Sequence, residues 1–447
     1  MDELNARLTR FRKDAFRIIW QTIESIDAED AVRKHIRLKY EELHIEDKII
    51  YLDNYENIYV IGAGKASAYM AKAIENILVH RIKSGLICIK QGYDVRLHKI
   101  HVAIAGHPIP DENSFLAAKK TYEMMKKSGP DDLIICLLSD GASSIWSLPY
   151  PPIPHQDKQR SLEILLGCGA DSHEINIIRK HISRIKGGQL ARAAQPTRII
   201  TLAISDVVGD DLSMIGLGPT TADTTTYADA LEVIDKYELS TILPKSVRNH
   251  ILKGILGEVK ETPKPGDPLF KKNIKYIVAS NREALESARQ TASYLGYEAK
   301  ILATGITGEA RDAGRQLVEK AKDILKRREP GSPPAVLLFG GRTNITQKGD
   351  GKGGPNQELV LAAALEMNNL ENVLVASFGT DGSDGFTDAA GAFADCTTVS
   401  RGIDIDLNAR EYLENNNSYE YFDRLGDLIK TGPTGTNVMD IQMVIIH

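Results

Sequence analysis

The sequence lacks several features that mark secreted, membrane-bound or metal-stapled proteins. Its 447 residues include only four cysteines, and their wide spacing excludes a disulfide framework or a cysteine-based zinc site. No apolar run approaches the roughly 18 residues that a membrane helix needs. The first residues, Met1 to Asn5, form neither a basic nor an apolar signal region, so we expect a cytoplasmic protein that is not secreted.

An excess of charge of one sign is also lacking. Lysine and arginine number 55 against 60 acidic residues, which leaves a net charge of −5. This near balance provides no electrostatic footprint for nucleic acid or an anionic membrane, so we expect neither as a partner. The length is sufficient for two or three domains with a sizeable core.

Strand and helix patterns alternate through most of the chain. Only residues 3 to about 44 look helical throughout; beyond them, short apolar runs of strand type are separated by helical patterns. This alternation predicts an α/β fold of parallel βαβ units with helices on both faces. Residues 261–268 are rich in proline and polar side chains. We therefore predict a first domain over 1–260, a linker over 261–273 and a second α/β domain over 274–447.

One segment of the second half has the pattern of an anion-binding site. A strand-type run ends at Gly340-Gly341-Arg342, and a basic, glycine-rich loop over 349–354 leads to a helix that opens with Pro355. Glycine lets backbone N–H groups approach a ligand, and a helix N-terminus carries partial positive charge. The alternative is a surface loop with incidental cations.

A second glycine-rich turn follows the first strand of the first half. Gly62, Gly64 and Lys65 stand where a P-loop or a dinucleotide fingerprint would begin. Neither fingerprint is satisfied, because Tyr59 and Ser67 occupy positions that require glycine or alanine. A lysine in the first turn of a helix opposes the helix dipole, which an anionic ligand would relieve. The alternative is a solvent-exposed lysine.

Two further loops follow strands of the first half, where open parallel sheets bind their ligands. Ser139, Gly141 and Ser143 offer hydroxyl and N–H donors for a phosphate or a carboxylate. A simple helix cap is the alternative for this loop. In the loop that contains His107 and Asp111, the histidine is a candidate acid–base group and the aspartate a candidate helix cap.

Carboxylates cluster after two other strands. Asp206 and Asp210 suit Mg²⁺, which takes one or two protein carboxylates together with phosphate oxygens and water, although Asp210 is also a candidate helix cap. The loop that contains Asp381 superficially suggests a calcium loop. We exclude an EF-hand, because the twelfth position is Ala392 and not glutamate. We expect Asp381 to belong to the same ligand-binding cleft.

These blocks together resemble glycerate 2-kinase of the MOFRL family. The resemblance covers nearly the whole chain, in one order. It rests on the blocks 62–67, 106–111, 205–210, 218–220, 339–343, 379–385 and 435–440. One departure is Asp140, which adds a charge to a loop that is usually richer in glycine and ends in Ser-Ala.

The resemblance implies a Rossmann-like N-terminal domain, a smaller α/β C-terminal domain and an active site in the cleft between them. It also implies transfer of the ATP γ-phosphoryl group to the 2-hydroxyl of D-glycerate, with Mg²⁺ or another divalent metal. Lys65 and Arg342 match the lysine and arginine thought to be catalytic in the family. We hypothesise that they grip the phosphoryl group or the glycerate carboxylate, and that Asp206 holds the metal or orients the hydroxyl. Gly340, Gly341 and the loop 349–354 would then contact nucleotide phosphates.

Two other functions are compatible with parts of the sequence. An NAD(P)H-dependent hydroxypyruvate reductase is disfavoured by Ser67 and by Lys90 and Gln91, which stand where an acidic residue would bind the ribose. A phosphosugar-binding regulatory protein would explain the first half but would leave Arg342 without a purpose. The sequence leaves open whether the protein is a monomer or a homodimer.

Overall fold

The structure is a computed structural model that describes residues 2–329, 331–367 and 370–447. Its contacts divide the chain into two compact units. We call residues 28–205 and 210–278 the N-terminal unit, and residues up to Asp27, 206–209 and 279–447 the C-terminal unit. The predicted fold class is confirmed: a parallel, Rossmann-like sheet is followed by a second, smaller α/β unit.

The first helix, α1 (Asp2–Ser25), belongs to the C-terminal unit. The elements of the N-terminal unit follow it in the chain. They are α2 (Ala28–His35), β1 (Ile36–Lys39), β2 (Glu42–Ile45), β3 (Lys48–Tyr51), β4 (Asn57–Ala63), α3 (Ser67–Leu78), β5 (Ile82–Ile89), β6 (Ile100–Ile104), α4 (Glu112–Lys127), β7 (Asp132–Leu138), α5 (Ala142–Ile145), α6 (His155–Gly167), α7 (Ser172–His181), α8 (Gln189–Ala193), β8 (Arg198–Ile204), α9 (Tyr227–Lys236), α10 (Lys245–Ile255) and β9 (Ile274–Ala279).

The main sheet of the N-terminal unit has the strand order β6-β5-β4-β7-β8-β9 in the described part of the chain. The pairs from β6 through β8 are parallel. Every residue of β7 is buried, as expected for a central parallel strand that is covered on both faces. The carboxyl ends of β4 and β7 lie side by side, because Ala63 pairs with Leu138. The loops after these strands therefore meet.

A small antiparallel sheet replaces part of the predicted N-terminal helix. Helical structure ends at His35, and β1, β2 and β3 follow as a meander. Leu43 and Ile45 of β2 are fully buried, so one face of the meander supplies core contacts. The prediction of helix to about residue 44 was wrong, because strands of four residues are too short to show a clear period of two.

The elements of the C-terminal unit after α1 alternate as predicted and then continue into a group of short helices. They are α11 (Asn281–Tyr294), β10 (Glu298–Ile306), α12 (Ala310–Arg327), β11 (Ala335–Gly341), α13 (Pro355–Glu366), β12 (Val373–Gly379), β13 (Gly391–Asp395), α14 (Thr398–Ile403), α15 (Ala409–Glu414), α16 (Ser418–Leu425), β14 (Leu428–Ile429) and β15 (Asp440–Ile446).

The sheet of the C-terminal unit is mixed. Its order is β10-β11-β15-β12-β13-β14, and β15 runs antiparallel to both β11 and β12. Asp440, the first residue of β15, therefore pairs with Gly341 and with Gly379, the last residues of the two flanking strands. This register brings Asp440 to the edge of the sheet where the glycine-rich loops begin.

The observed boundaries differ from the predicted ones at two places. Helix α1 belongs to the C-terminal unit, since the buried Tyr297 hydroxyl donates to Asp14 at 2.7 Å and Arg12 donates to Asp395 at 2.7 Å. Strand β9 extends the sheet of the N-terminal unit next to β8. Both assignments depend on long-range packing, which local composition does not report.

The predicted linker is also built into the N-terminal unit. Glu261 accepts hydrogen bonds from the Tyr227 amide at 3.0 Å and from the Thr262 amide at 2.8 Å. The Thr262 hydroxyl donates to the buried Asp223. Residues 261–263 are therefore packed into the N-terminal unit and do not act as a free linker.

Two simpler expectations concern membranes and thiols. No helix in the described ranges is both long and apolar enough to cross a bilayer. Cys88 and Cys136 are buried free thiols on β5 and β7, and burial raises the pKa of the Cys88 thiol to about 12.

Candidate functional site

The loops that follow β4 and β7 are joined by backbone hydrogen bonds. The Lys65 amide donates to the Asp140 carbonyl at 2.8 Å, and the Ala66 amide donates to Ser139 Oγ at 3.0 Å. The Ser139 amide donates in turn to the Ala63 carbonyl at 3.2 Å. These N–H groups already have acceptors within the protein, so this turn does not present them to a phosphate as a P-loop would.

The glycines of the first turn are explained by close packing. A Cβ atom on Gly62 would lie 2.5 Å from the Leu137 carbonyl oxygen. Gly64 has a φ of +125°, and a Cβ atom there would lie 2.2 Å from Ser139 Oγ. Only glycine lets the two loops approach so closely. The predicted ligand contacts of Gly62 and Gly64 are therefore not needed to account for these residues.

The predicted catalytic lysine forms an ion pair with the residue that departs from the family pattern. Lys65 Nζ lies 2.7 Å from Asp140 Oδ2, and the two side chains are 14% and 13% exposed. An opposite charge at this distance offsets most of the attraction of the ammonium for an anion. A ligand that binds Lys65 must therefore share it with Asp140, or displace it.

His107, a candidate acid–base group in the sequence, lies beside the same loop. Its Nδ1 hydrogen-bonds Ser144 Oγ at 2.7 Å, and a Cβ atom on Gly141 would lie 3.2 Å from the imidazole ring. Burial lowers the pKa of His107, although Asp140 opposes this shift. The ring is therefore mainly neutral at pH 7. Asp111 caps helix α4, as expected.

The other predicted donors of this loop face the protein. Ser139 Oγ accepts from Ala66, and Ser143 Oγ accepts from Arg179 at 3.2 Å. Gly141 has a φ of +85° and precedes the short helix α5. The N-terminal unit thus brings together Lys65, Asp140 and His107 as the chemically active groups at this edge of its sheet.

The predicted catalytic arginine lies at the corresponding edge of the C-terminal unit. The Arg342 amide donates to the Ile306 carbonyl at 2.8 Å, which fixes the backbone where β11 ends. Its side chain is 60% exposed, and Nη1 lies 4.0 Å from Asp206 Oδ2. Asp206 is 16% exposed and belongs to this unit through the segment 206–209. The structure therefore places two of the three predicted catalytic side chains next to each other.

Gly340 and Gly341 are required by packing as well. A Cβ atom on Gly340 would lie 1.8 Å from Asn281 Oδ1. Gly341 has a φ of +152°, and its Cβ would lie 2.1 Å from the Ile306 carbonyl oxygen. The double glycine lets β11 pass close to β10 and to helix α11. The double glycine therefore contributes to the candidate site by fixing the position of Arg342.

Several amides of the loop 349–354, which is predicted to contact nucleotide phosphates, have acceptors within the protein. The Gly349 amide donates to Asn416 Oδ1 at 3.1 Å, and the Gly351 amide donates to the Asn415 carbonyl at 3.0 Å. Asn417 accepts in the same way from the Lys352 amide. This segment is thus bound to the helices that follow β13, which no local pattern could reveal.

The N-terminus of helix α13 is occupied by a carboxylate of the protein. Asp384 accepts from the Asn356 amide at 3.0 Å and from the Gln357 amide at 2.8 Å. The helix N-terminus does attract an anion, as its dipole requires, but that anion is Asp384. Nucleotide phosphate binding at this position stays a prediction, and a phosphate there would have to share or displace Asp384.

Sequence reasoning assigned no role to Asp384 or Asp440. Burial raises the pKa of both carboxyl groups to about 7, and each has another acidic residue nearby that adds to the shift. Arg342 acts in the opposite direction on Asp440. Asp381, a predicted ligand contact, instead accepts hydrogen bonds from Ser383 within its own turn. The strand pairing of Asp440 with Gly341 is what brings this cluster next to Arg342. This pairing is known only once the order of the strands in the sheet is known.

The carboxylates present suit an Mg²⁺ ion only if nucleotide phosphates and water supply most of its ligands. No group of three or more histidine, cysteine, aspartate or glutamate side chains in the described ranges could hold a metal ion by itself. Asp206 remains as a carboxylate beside Arg342, which suits an ion that takes most of its ligands from nucleotide phosphates and water. Asp210 belongs to the N-terminal unit and has a φ of +58°, so its predicted role stays a prediction.

Comparison with known proteins identifies relatives over the full length of the chain. The family models that match are described as "Domain of unknown function (DUF4147)", over residues 14–252, and "MOFRL family", over residues 335–440. A glycerate 2-kinase of Pyrococcus horikoshii is 40% identical over 97% of this chain and 97% of its own. A D-glycerate 2-kinase of Thermotoga maritima is 35% identical over 93% of this chain and 97% of its own. The crystal structure of a Thermotoga maritima glycerate kinase superposes with a TM-score of 0.85 at 34% identity, over 98% of this chain and 100% of that one.

Proposed function

Because this chain belongs to the glycerate 2-kinase family with a MOFRL domain, we infer that it transfers the γ-phosphoryl group of ATP to D-glycerate. The 2-hydroxyl oxygen bonds to the γ-phosphorus, and the bond from this phosphorus to the bridging oxygen of ADP breaks. The hydroxyl proton is released to water, and the products are 2-phosphoglycerate, ADP and this proton. The relatives support the kinase over the reductase and the regulatory protein.

The observation that carries the mechanism is the exposed Arg342 beside Asp206. Phosphoryl transfer depends on positioning and charge neutralisation more than on covalent catalysis. A guanidinium that is 60% exposed can bind phosphoryl oxygens, while its backbone is fixed by Ile306. We assign Arg342 to the transferring phosphoryl group, and Asp206 to the glycerate hydroxyl or to the metal that it would hold.

Lys65 supplies the second predicted cation. Its ammonium is mostly buried and paired with Asp140. The ion pair fixes the position of the charge and weakens the non-specific binding of anions from solvent. We assign Lys65 to the glycerate carboxylate or to the transferring phosphoryl group. His107 is a neutral group beside the same loop and is available to hydrogen-bond the substrate.

ATP as the co-substrate and Mg²⁺ as its counterion complete the proposal. When bound, Mg²⁺ would neutralise charge on the β- and γ-phosphates. Asp206 is the carboxylate best placed in the C-terminal unit to hold it, with the phosphates providing further ligands. A cytoplasmic location and a monomeric or homodimeric state belong to the proposal as well.

One pair of incubations tests the reaction. The protein is mixed with D-glycerate, ATP and Mg²⁺ and, separately, with hydroxypyruvate and NADH. We expect ADP and 2-phosphoglycerate from the first mixture and no loss of NADH in the second. Phosphorus NMR of the product identifies the hydroxyl group that carries the phosphate. NADH consumption, or ligand binding without turnover, would contradict the proposal in favour of the reductase or the regulator.

A further inference from the structure

Three cations in the N-terminal unit converge on a small internal cavity. Lys158 of α6, Arg179 of α7 and Lys186 of the following loop all line it, together with Ser143 and Ser147 of the loop region after β7. The accessible volume is about 20 Å³, which is room for about one particle of the size of water. Lys158 and Lys186 are 7% and 1% exposed, so their charges are well removed from bulk solvent.

The hydrogen-bond partners of these cations are all uncharged. Lys186 Nζ donates to the carbonyls of Ser143 and Trp146, at 2.5 and 3.1 Å, and Lys158 Nζ donates to the Leu148 carbonyl at 3.0 Å. Arg179 contacts Ser143 and Asn176. No carboxylate in the described ranges lies within ion-pair distance of any of the three. An ammonium has three N–H groups, so both lysines have hydrogen-bonding capacity left toward the cavity.

The neighbouring residue shows how this chain otherwise compensates a buried cation. Lys180 Nζ lies 3.2 Å from Asp223 Oδ1, and the two side chains are 5% and 0% exposed. Lys186 is buried to the same degree but has no such partner. Burial lowers the pKa of Lys158 to about 7 and that of Lys186 well below its ordinary value. Arg179 cannot lose its proton in this way, so a positive charge persists in the cluster at every physiological pH.

We propose that Lys158, Arg179 and Lys186 bind a small monatomic anion such as chloride in this cavity. An anion there would supply the negative charge that no side chain supplies, and would favour the protonated forms of Lys158 and Lys186 beside the charged Arg179. The volume excludes glycerate and nucleotide, so the site is distinct from the substrate site. Lys186 would contact the ion while it also donates to the Ser143 carbonyl. The ion would therefore stabilise the segment that follows Ser139 and Asp140. This inference does not depend on the proposed phosphoryl transfer.

Halide-dependent stability provides the first test. The wild-type protein is dialysed into sodium gluconate and titrated with sodium chloride at constant ionic strength. We expect a saturable rise in Tm of about 3 °C or more, because an ion that binds only the folded state stabilises it. Lys158→Met and Lys186→Met should lose this response. The exposed Lys245→Met variant is the matched control and should keep it.

Bromide scattering provides the second test and applies to the wild-type protein even if the variants fail to fold. Crystals soaked in sodium bromide should show an anomalous peak in the cavity between Lys158 and Lys186. The absence of this peak would overturn the proposal, as would a Tm that is equal in chloride and gluconate. A response that Lys245→Met also loses would point to a general salt effect and would equally contradict a site in the cavity.

Discussion

Both predicted catalytic cations have a carboxylate close to them. Lys65 contacts Asp140 at 2.7 Å, and Arg342 lies 4.0 Å from Asp206. The first pair is mostly buried, whereas the guanidinium of the second is 60% exposed. Lys65 is therefore the fixed cation and Arg342 the accessible one, which suggests different effects when each is changed.

Replacing Arg342 should affect turnover far more than folding. We expect Arg342→Ala to lower kcat by roughly 10²–10³, the usual loss for one charge-stabilising donor. Its side chain is exposed, so the free energy of unfolding should change by no more than about 0.5 kcal/mol. Steady-state kinetics and urea unfolding measure the two quantities. Arg327→Ala, at an exposed position on α12, is the control, and near-normal turnover in Arg342→Ala would remove Arg342 from the mechanism.

Replacing Asp140 should strengthen the binding of anionic substrates. Asp140→Asn keeps a hydrogen-bond acceptor beside Lys65 but removes the carboxylate charge that lies 2.7 Å from its ammonium. At a mostly buried position this is worth on the order of 1 kcal/mol, so the KM for glycerate or ATP should fall about twofold to fivefold. An increase in both KM values would show that Asp140 chiefly orients Lys65.

At the scale of loops and strands, the glycine patterns mark places where two backbone segments approach closely. The sequence suggested that Gly64 and Gly341 open the backbone to a ligand, whereas each is pressed against a neighbouring loop or strand. A glycine in the sequence shows that no side chain is present at that position. It does not show whether a ligand or another part of the protein fills the space beside it. The strands and helices of the βαβ units were predictable, because their apolar periodicity is local.

The contribution of packing at Gly64 can be separated from that of its backbone conformation. Gly64→Ala places a methyl group 2.2 Å from Ser139 Oγ, whereas Gly92→Ala has a φ of +89° and no atom within 4 Å. We expect Gly92→Ala to cost about 1 kcal/mol and Gly64→Ala at least about 2–3 kcal/mol, with loss of activity. Chemical denaturation measures both, and equal costs would refute a role for the close approach.

The segment predicted as a linker should contribute to stability with a defined pH dependence. Hydrogen bonds, chiefly with His181 and the Tyr227 amide, outweigh burial and lower the pKa of Glu261 from 4.5 to about 2. The stabilisation is therefore complete above about pH 4.5 and is lost as the pH falls toward 2. Glu261→Gln should lower the free energy of unfolding at pH 7 by about 1 kcal/mol, after allowance for its partial exposure.

The diagnostic result is how this difference changes with pH. Urea unfolding of the wild type and Glu261→Gln should converge as the pH is lowered through the range from 4.5 to 2. Glu258→Gln, with its side chain 56% exposed, is the control and should follow the wild type at every pH. A constant difference between the wild type and Glu261→Gln would show that Glu261 acts through packing and not through its charge.

At the scale of the whole molecule, the two units are not successive halves of the chain. Helix α1 completes the C-terminal unit, and β9 completes the sheet of the N-terminal unit. Contacts such as the one between Arg12 and Asp395 span hundreds of residues. No periodicity or composition within a short window contains that information, which is why the alternation was predictable and the boundaries were not.

The role of α1 predicts a large effect of a single residue in it. Arg12 donates to Asp395 and to Asp427, both of which are 1% exposed. Arg12→Met would leave these carboxylates partly uncompensated, since among the described residues a second arginine, Arg401, reaches Asp427 and none reaches Asp395. We expect a loss of about 2–3 kcal/mol from the C-terminal unit, measured by urea unfolding with hydrogen exchange.

The exposed Arg17→Met variant in the same helix is the control for this change. It alters the helix surface without touching either buried carboxylate, so we expect the wild-type stability. Equal losses in the two variants would show that α1 stabilises the unit through its apolar face alone.

The position of β15 has a consequence for biosynthesis. This strand lies between β11 and β12, although residues 440–446 come after every other strand of that sheet in the chain. During translation, β11 and β12 are made before β15, the strand that lies between them. Helix α1 is made before all of the strands and helices that it packs against in the C-terminal unit. The N-terminal unit has all of its residues once position 278 has been made, whereas the C-terminal unit acquires Asp440, and with it the edge where β11, β15 and β12 meet, only after every other strand of its sheet.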